Sequence, residues 1–300
     1  MANFPIRTDL ALEAREFIEE ANGEMRGIIV DTYSDADDTV LVTHVQITTK
    51  NGAKAMGKPI GSYITLEADN LVDADEDYHR EVSVVIAKQL QNLLPQLKEE
   101  QSILVVGLGN RDVTADALGP EVVEHLNITR HMLKQFGHAA YSCEKVHQIS
   151  SIVPGVMGKT GMESAEIVHG VVSSTNPDII IAIDALAARS TRRLTRTIQI
   201  TNTGIQPGSG VGNHRNALTE DSMGIPVIAI GIPTVVDAAT IVNDAVGHLS
   251  QDSPEIQNTI HDMHNMYVTA KDIDATIKRL GFTLSEALNI AFNMCAENAE

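Results

Sequence analysis

Two carboxylates, Asp116 and Asp184, have the type and placement for acid–base chemistry. Asp116 belongs to ILVVGLGNRDVTADALGP, Ile103 to Pro120, where an apolar, β-rich run breaks at Gly107 and Gly109 into a polar loop and then a helix. Asp184 ends the most continuous apolar run of the chain, Ile179 to Ile183. Such a run reads as a central strand buried on both faces. Open α/β sheets hold their chemistry at the carboxyl ends of strands. If the two strands are neighbours, the acids converge there. Carboxylates sharing a site cannot both ionise easily, so one pKa rises and the pair keeps a proton. The ionised member can take a proton from water while the neutral one donates to a carbonyl oxygen or a leaving amine, without a covalent intermediate. Plainer roles exist for both: Asp184 as a cap on the turn over residues 185–190, Asp116 as a cap on the helix beginning near Leu118. Asp112, in the same loop, competes for the Asp116 role.

The surrounding elements must bring these acids together. Leu10 to Asn22 reads as a helix with an apolar stripe of Leu10, Leu12, Ala14, Phe17 and Ile18, capped by Asp9, with Glu13, Glu16, Glu19 and Glu20 on its solvated side. Strands are expected at Met25–Tyr33, Thr39–Ile47 and Ser62–Leu66, with Asn51-Gly52 marking a turn. With no helices between them, they form a mixed or antiparallel extension of the main sheet. Asp75 to Leu94 reads as a long helix that Pro95 ends. From Ile103 the pattern alternates: strand 103–106, helix Leu118–Phe136, strand Ala140–Ile149, helix Met162–Ser174, strand Ile179–Asp184, strand Thr197–Thr201, strand Pro226–Ile230, and a helix from about Asp237 to Leu249. Alternation of this kind predicts a three-layer αβα fold with a largely parallel mixed central sheet. The tail from Ser253 is expected as two or three helices, broken at Gly281, with Thr283 capping the last. The organisation expected is one domain over 1–300: a β-rich part to about 100, an α/β core to about 250 and a helical tail.

Other motifs fail on their spacing. Gly107-x-Gly109 would need a third glycine at 112, where Asp stands and would repel a pyrophosphate. Gly158-Lys159-Thr160 resembles the end of a P-loop, but Val153 occupies the place of the leading glycine. Asn202-Thr203-Gly204 lacks the carboxylate of an Asp-Thr-Gly motif. Ser209 in PGSGVG is not in a nucleophile elbow, since position 207 is Pro. Cys143 falls in a strand and reads as core. The eleven histidines show no HExxH and no paired ligand spacing. His214, in the glycine-rich GVGNHR, is the one retained as a site residue.

The net charge of −18 disfavours direct nucleic-acid contact and suits either solubility or a basic protein partner. Trp is absent and Phe and Tyr are few, so no aromatic stacking platform is suggested. Cys143 and Cys295 are far apart and read as free thiols of a reducing compartment. The N-terminus has no signal core and no apolar run reaches membrane length, which points to the cytoplasm.

FPIRTDLALEARE, KPIGSYITLE, GLGNRDVTADALGP, PGVMGKTGMESAEIV, IDALAARS, TGIQPGSGVGNHR and GIPVIAIGIPTVVDAATI, with a weaker match in YVTAKDIDATI, resemble the germination protease family of spore-forming bacteria. The resemblance implies an endopeptidase that initiates degradation of small acid-soluble spore proteins during germination, in the spore core. It further implies an atypical aspartic-type peptidase, made as a zymogen and assembled as a homotetramer, with its acid pair in the motifs that hold Asp116 and Asp184. The implied fold is similar to that of hydrogenase-maturation peptidases, whose acids at equivalent strand ends grip a metal. The closer resemblance implies metal-free acid–base chemistry with no cofactor. Gly109, Asn110, Arg189 and His214 are then expected to line the cleft. Arg189 would orient a carboxylate, lower one pKa of the pair, or bind an acidic substrate residue bidentately. A metal-dependent peptidase using the same acids, and a non-catalytic binder of basic spore proteins, are the rival readings. Two departures from the family pattern stand out. Few residues precede Pro5-Ile6-Arg7-Thr8-Asp9, the segment before which the family's propeptide is removed, so either no such processing is needed or activation differs. Asn202 replaces an expected Asp.

Overall fold

The computed structural model describes residues 8–20, 26–73, 75–141, 145–208, 216–246, 262–263 and 266–293. Its strands are β1 (Ile28–Asp35), β2 (Val40–Ile47), β3 (Gly61–Glu67), β4 (Ser102–Gly107), β5 (Gln148–Ile152), β6 (Ile179–Ala188), β7 (Thr197–Thr201), β8 (Val227–Asp237) and β9 (Tyr267–Val268). All lie in one sheet of order β1-β2-β3-β7-β8-β6-β4-β5, with β9 also paired to β8. Pairing is antiparallel from β1 to β8 and parallel through β8, β6, β4 and β5. The sheet is therefore mixed, with the expected antiparallel extension on one side and a parallel half on the other.

Side chains of the parallel half divide between two cores, as the two-residue pleat requires. Ile103, Val105, Ile179, Ile181 and Ile183 pack on one face with helices α3 (Glu76–Leu93), α4 (Leu118–Glu124) and α10 (Ile273–Ala291). Leu104, Val106, Ile180 and Ala182 pack on the other with α7 (Ser164–Thr175). Helices α1 (Ala11–Glu20) and α2 (Lys50–Met56) cover the antiparallel wing through Ile18, Met56, Val45, Ile47 and Tyr63. The described helices further include α5 (Arg130–Phe136), α6 (Met157–Thr160), α8 (Glu220–Met223) and α9 (Ala238–Val246). No described helix is long and apolar enough to cross a membrane.

The connection from β4 to β5 runs by α4 and α5 to one side, and that from β5 by α7 returns to the other side of β4, where β6 lies. The order of the sheet reverses between β4 and β6. In open α/β sheets the crevice at such a reversal is the ligand site.

Several expectations change. Asn51-Gly52 lies inside α2, because Thr49 caps that helix by accepting from the Gly52 N–H. The single helix Leu118–Phe136 is two, α4 and α5. Thr129 separates them: its hydroxyl donates to the His147 carbonyl and accepts from the Ile149 N–H, tying the chain to the sheet. The strand expected at Ala140–Ile149 begins only at Gln148 and ends at Ile152; Cys143 lies outside the described residues, as do Cys295 and Ser209. In the described part of the tail, strand β9 precedes helix α10, which is unbroken at Gly281, and residues 253–261 lie outside the described residues. That glycine serves close packing instead, since a Cβ there would meet the Glu121 Cβ at 2.7 Å. Thr283 sits inside the helix, its hydroxyl 2.7 Å from His79 Nδ1. Helix α3 does start at its Asp75 cap and stops before Pro95.

His147 is 1 % exposed, and its Nδ1 accepts the Gln101 N–H at 3.0 Å. Burial holds its pKa below the ordinary 6.5, outweighing the raising effect of nearby backbone groups and Glu100. A depressed histidine pKa contributes stability that is complete above pH 6.5 and is lost as pH falls through the folded value. Urea midpoints measured across pH 5 to 7.5 are expected to fall below about pH 6.5. His147→Asn, which retains an acceptor but cannot titrate, is expected to flatten that slope.

Candidate active site

Strand β4 stops at Gly107, opposite Ile183 of β6, and the Leu108 N–H donates to the Ile183 carbonyl at 2.8 Å. The chain then folds over at Gly109, whose φ is +116° and whose missing Cβ would stand 2.0 Å from the Asp116 carbonyl oxygen. Only glycine fits that backbone and that approach. Asn110 organises the loop. Its N–H donates to the Asp116 carbonyl at 2.8 Å, its carbonyl accepts from Val113 N–H, and its side-chain oxygen accepts from Asp112 N–H. The loop closes in a 3₁₀ turn, Thr114–Asp116, directly before α4.

Strand β6 continues past the end of β4 for five residues, paired with β8 as far as Ala188 opposite Val236. Asp184 thus lies within a strand and not at its end, as the sequence had suggested. It is 5 % exposed, and its Oδ1 accepts the Ala185 N–H at 2.9 Å. Asp116 and Asp184 line one cleft of about 490 Å³, together with Asp9, Leu108, Gly109, Thr234 and Tyr267. A second hollow, of about 370 Å³, lies on the β7 side and shares Asp9, Asp184, Leu186 and Gly208 with the first. Among the described residues no three side chains of metal-ligating type come together.

Asp112 does not line that cleft: it is exposed and ion-paired with Lys159. The Arg189 guanidinium stands 6.0 Å from the centre of the Phe17 ring, and Arg189 lines a separate depression with Arg192, Arg193 and Arg196. His214 lies outside the described residues. Gly109 lines the cleft, and Asn110 acts on it through the loop backbone.

Two acids gain roles that were not anticipated. Asp9, expected as a helix cap, pairs with β6: its N–H donates to the Ala187 carbonyl at 3.0 Å and its Oδ2 accepts the Ala187 N–H at 2.9 Å. Glu13, assigned to the solvated side of α1, is 3 % exposed and accepts from the N–H groups of Arg189 and Ser190. The apolar stripe did not announce this, since Phe17, four residues on, is 41 % exposed while Ala11 and Ile18 are buried. Half-buried Lys58 donates to the Thr8 and Asp9 carbonyls. Desolvation depresses its pKa, with Asp9 and Glu13 partly offsetting the shift. Gly109→Ala is expected to displace the Asp116 turn and reduce kcat about 10²-fold, the scale of an ångström-sized misplacement. Steady-state kinetics on the purified variant checks it.

A sequence profile of the family described as Germination protease matches residues 7–259. The chain is 43 % identical to the germination protease of Caldanaerobacter subterraneus subsp. tengcongensis, over 95 % of this chain and 94 % of that one. It is 41 % identical to that of Clostridium perfringens, over 98 % of each, and 45 % identical to that of Bacillus cereus, over 82 % of this chain and 67 % of the relative. Among solved structures, the [NiFe] hydrogenase maturation protease HycI from Thermococcus kodakarensis KOD1 aligns over 65 % of this chain and 97 % of that one at 17 % identity. Its TM-score of 0.32 is too low to bear on the site. The family match spans most of the chain, and the chain belongs to the germination protease family, peptidases that initiate the degradation of small acid-soluble spore proteins during germination.

Proposed function

We propose that Asp116 and Asp184 are the catalytic pair of an aspartic-type endopeptidase. The observation that carries this reading is that both acids line one cleft at the reversal of the sheet order. In this reading the two carboxylates share a proton, since like charges set close together resist ionising both. The ionised acid accepts a proton from the attacking water as its oxygen bonds to the scissile carbonyl carbon. The protonated acid stabilises the carbonyl oxygen and then supplies the proton with which the amine departs. No cofactor enters this scheme. Gly109 and Asn110 shape the loop that presents Asp116. Arg189, five residues beyond Asp184, is the candidate for an acidic substrate side chain, and His214 for a further wall of the cleft.

The substrates in this reading are the small acid-soluble spore proteins of the spore core, and the assembly is a homotetramer. The zymogen state belongs to the same reading, as does the absence of nucleic-acid and membrane partners. An acidic enzyme suits a basic substrate, because the chain carries a net charge of −18. Asp116→Asn and Asp184→Asn are each expected to lower digestion of a purified spore protein at least about 10²-fold while far-UV circular dichroism stays unchanged. Full activity in either variant would remove that residue from the pair. Dialysis of the wild-type enzyme against a chelator is expected to leave activity intact; loss restored by a divalent ion would replace the scheme with a metal-dependent one.

A further inference from the structure

The stretch GIPTVVD, Gly231 to Asp237, runs along β8 beside β6. We propose that Thr234, within it, is a positioning residue for the peptidase reaction: its hydroxyl holds the turn that carries Asp116, and so sets the separation of the two acids. This rests on the reading of Asp116 and Asp184 as the catalytic pair.

Thr234 lies on β8, is 1 % exposed and lines the cleft. Its Oγ1 donates to the carbonyl of Ala115, the residue before Asp116, at 2.6 Å. That bond engages the hydroxyl proton, so Thr234 is not placed as a donor to substrate. Its own carbonyl accepts from the Thr269 hydroxyl at 2.8 Å, which ties this part of β8 to the segment following β9. The 3₁₀ turn itself is three residues long and has no side-chain cap. It is held from outside at two consecutive carbonyls, that of Ala115 by Thr234 and that of Asp116 by the Asn110 N–H at 2.8 Å.

Strand β8 is also the partner of β6, with Asp184 opposite Gly231. One strand therefore references both acids, Asp184 through the ladder and Asp116 through a single hydroxyl three residues further on. The ladder is a rigid reference because its rungs are many. The Asp116 turn is held by the Asn110 N–H from its own loop and by the Thr234 hydroxyl from β8, which makes Thr234 the link between that turn and the strand beside Asp184. A valine there keeps the β-branched shape that suits a strand and leaves the Ala115 carbonyl without its donor.

The test compares Thr234→Val, Thr234→Ser and Asp116→Asn in the full chain, with a small acid-soluble spore protein as substrate. Thr234→Val is expected to lower kcat about 10- to 100-fold with KM changed less than about twofold. The apparent pKa values of its kcat/KM profile are expected to move toward each other as the coupling between the acids weakens. Thr234→Ser, which restores the donor, is expected to recover kcat to within about threefold of wild type. Wild-type kcat and pH profile in Thr234→Val, or an equal fall in the serine and valine variants, would overturn the proposal. If the valine variant does not fold, Thr234→Ala carries the same expectations and the same overturning results. Activity retained in Asp116→Asn would remove the acid-pair reading and this inference with it. An inactive Asp116→Asn beside a fully active Thr234→Val would remove this inference alone.

Discussion

The last rung between β4 and β6, where Gly107 stands opposite Ile183, is the constraint on which the site depends. Beyond it β4 leaves the sheet and β6 does not. Asp184 is the first residue of β6 past that point, still fixed on its other side by the pairing with Gly231 of β8. A crevice opens there because the two connections from this part of the sheet leave in opposite directions. A carboxylate only 5 % exposed would be costly in a sealed core, and a cleft at the end of a neighbouring strand is where such a group can stay.

The rest of the architecture holds the rim of that crevice. On one side the glycine turn and Asn110 fold the loop after β4 back over itself. On the other, the chain ahead of α1 is joined to the free edge of β6 through Asp9 and Ala187, and Glu13 takes the next two N–H groups, of Arg189 and Ser190. In three of these bonds a backbone N–H donates to a carboxylate, which is stronger than a neutral bond, and they satisfy donors that an unpaired strand edge would otherwise leave open. Arg193 adds ion pairs to Glu16 and Glu67 and approaches Glu13 at 3.6 Å. Much of the acidic surplus in this region is therefore structural and not a solvated surface.

Elements with a strong local signal were legible. The buried run 179–183, the α3 helix with its Asp75 cap and Pro95 stop, and the antiparallel wing all appear in their expected places. Boundaries set by contacts distant in sequence were not. Nothing local to Thr129 says that it will bind His147 and Ile149 and divide a helix. Gly281 looks like a break until the proximity of Glu121 explains it. Asn51-Gly52 has the composition of a turn, and the Thr49 cap two residues earlier outweighs it. Glu13 is the instructive error: charge assigned it to water, whereas the N–H groups of Arg189 and Ser190, distant in sequence, hold it in the interior.

The sequence alone determined which residues have the chemistry: two acids after β-rich runs, a glycine turn without the spacing for a phosphate, and motifs dense enough to indicate a family. Side-chain type and local spacing suffice for that, because both are properties of the chain before it folds. Only the tertiary structure decided that β4 and β6 are neighbours and that Asp116, not Asp112, lines the cleft with Asp184. It also placed Arg189 in a separate depression and brought Asp9 to the rim. Those outcomes depend on strand order and on hydrogen bonds such as that between Asp9 and Ala187, 178 positions apart, and no local pattern encodes such a distance.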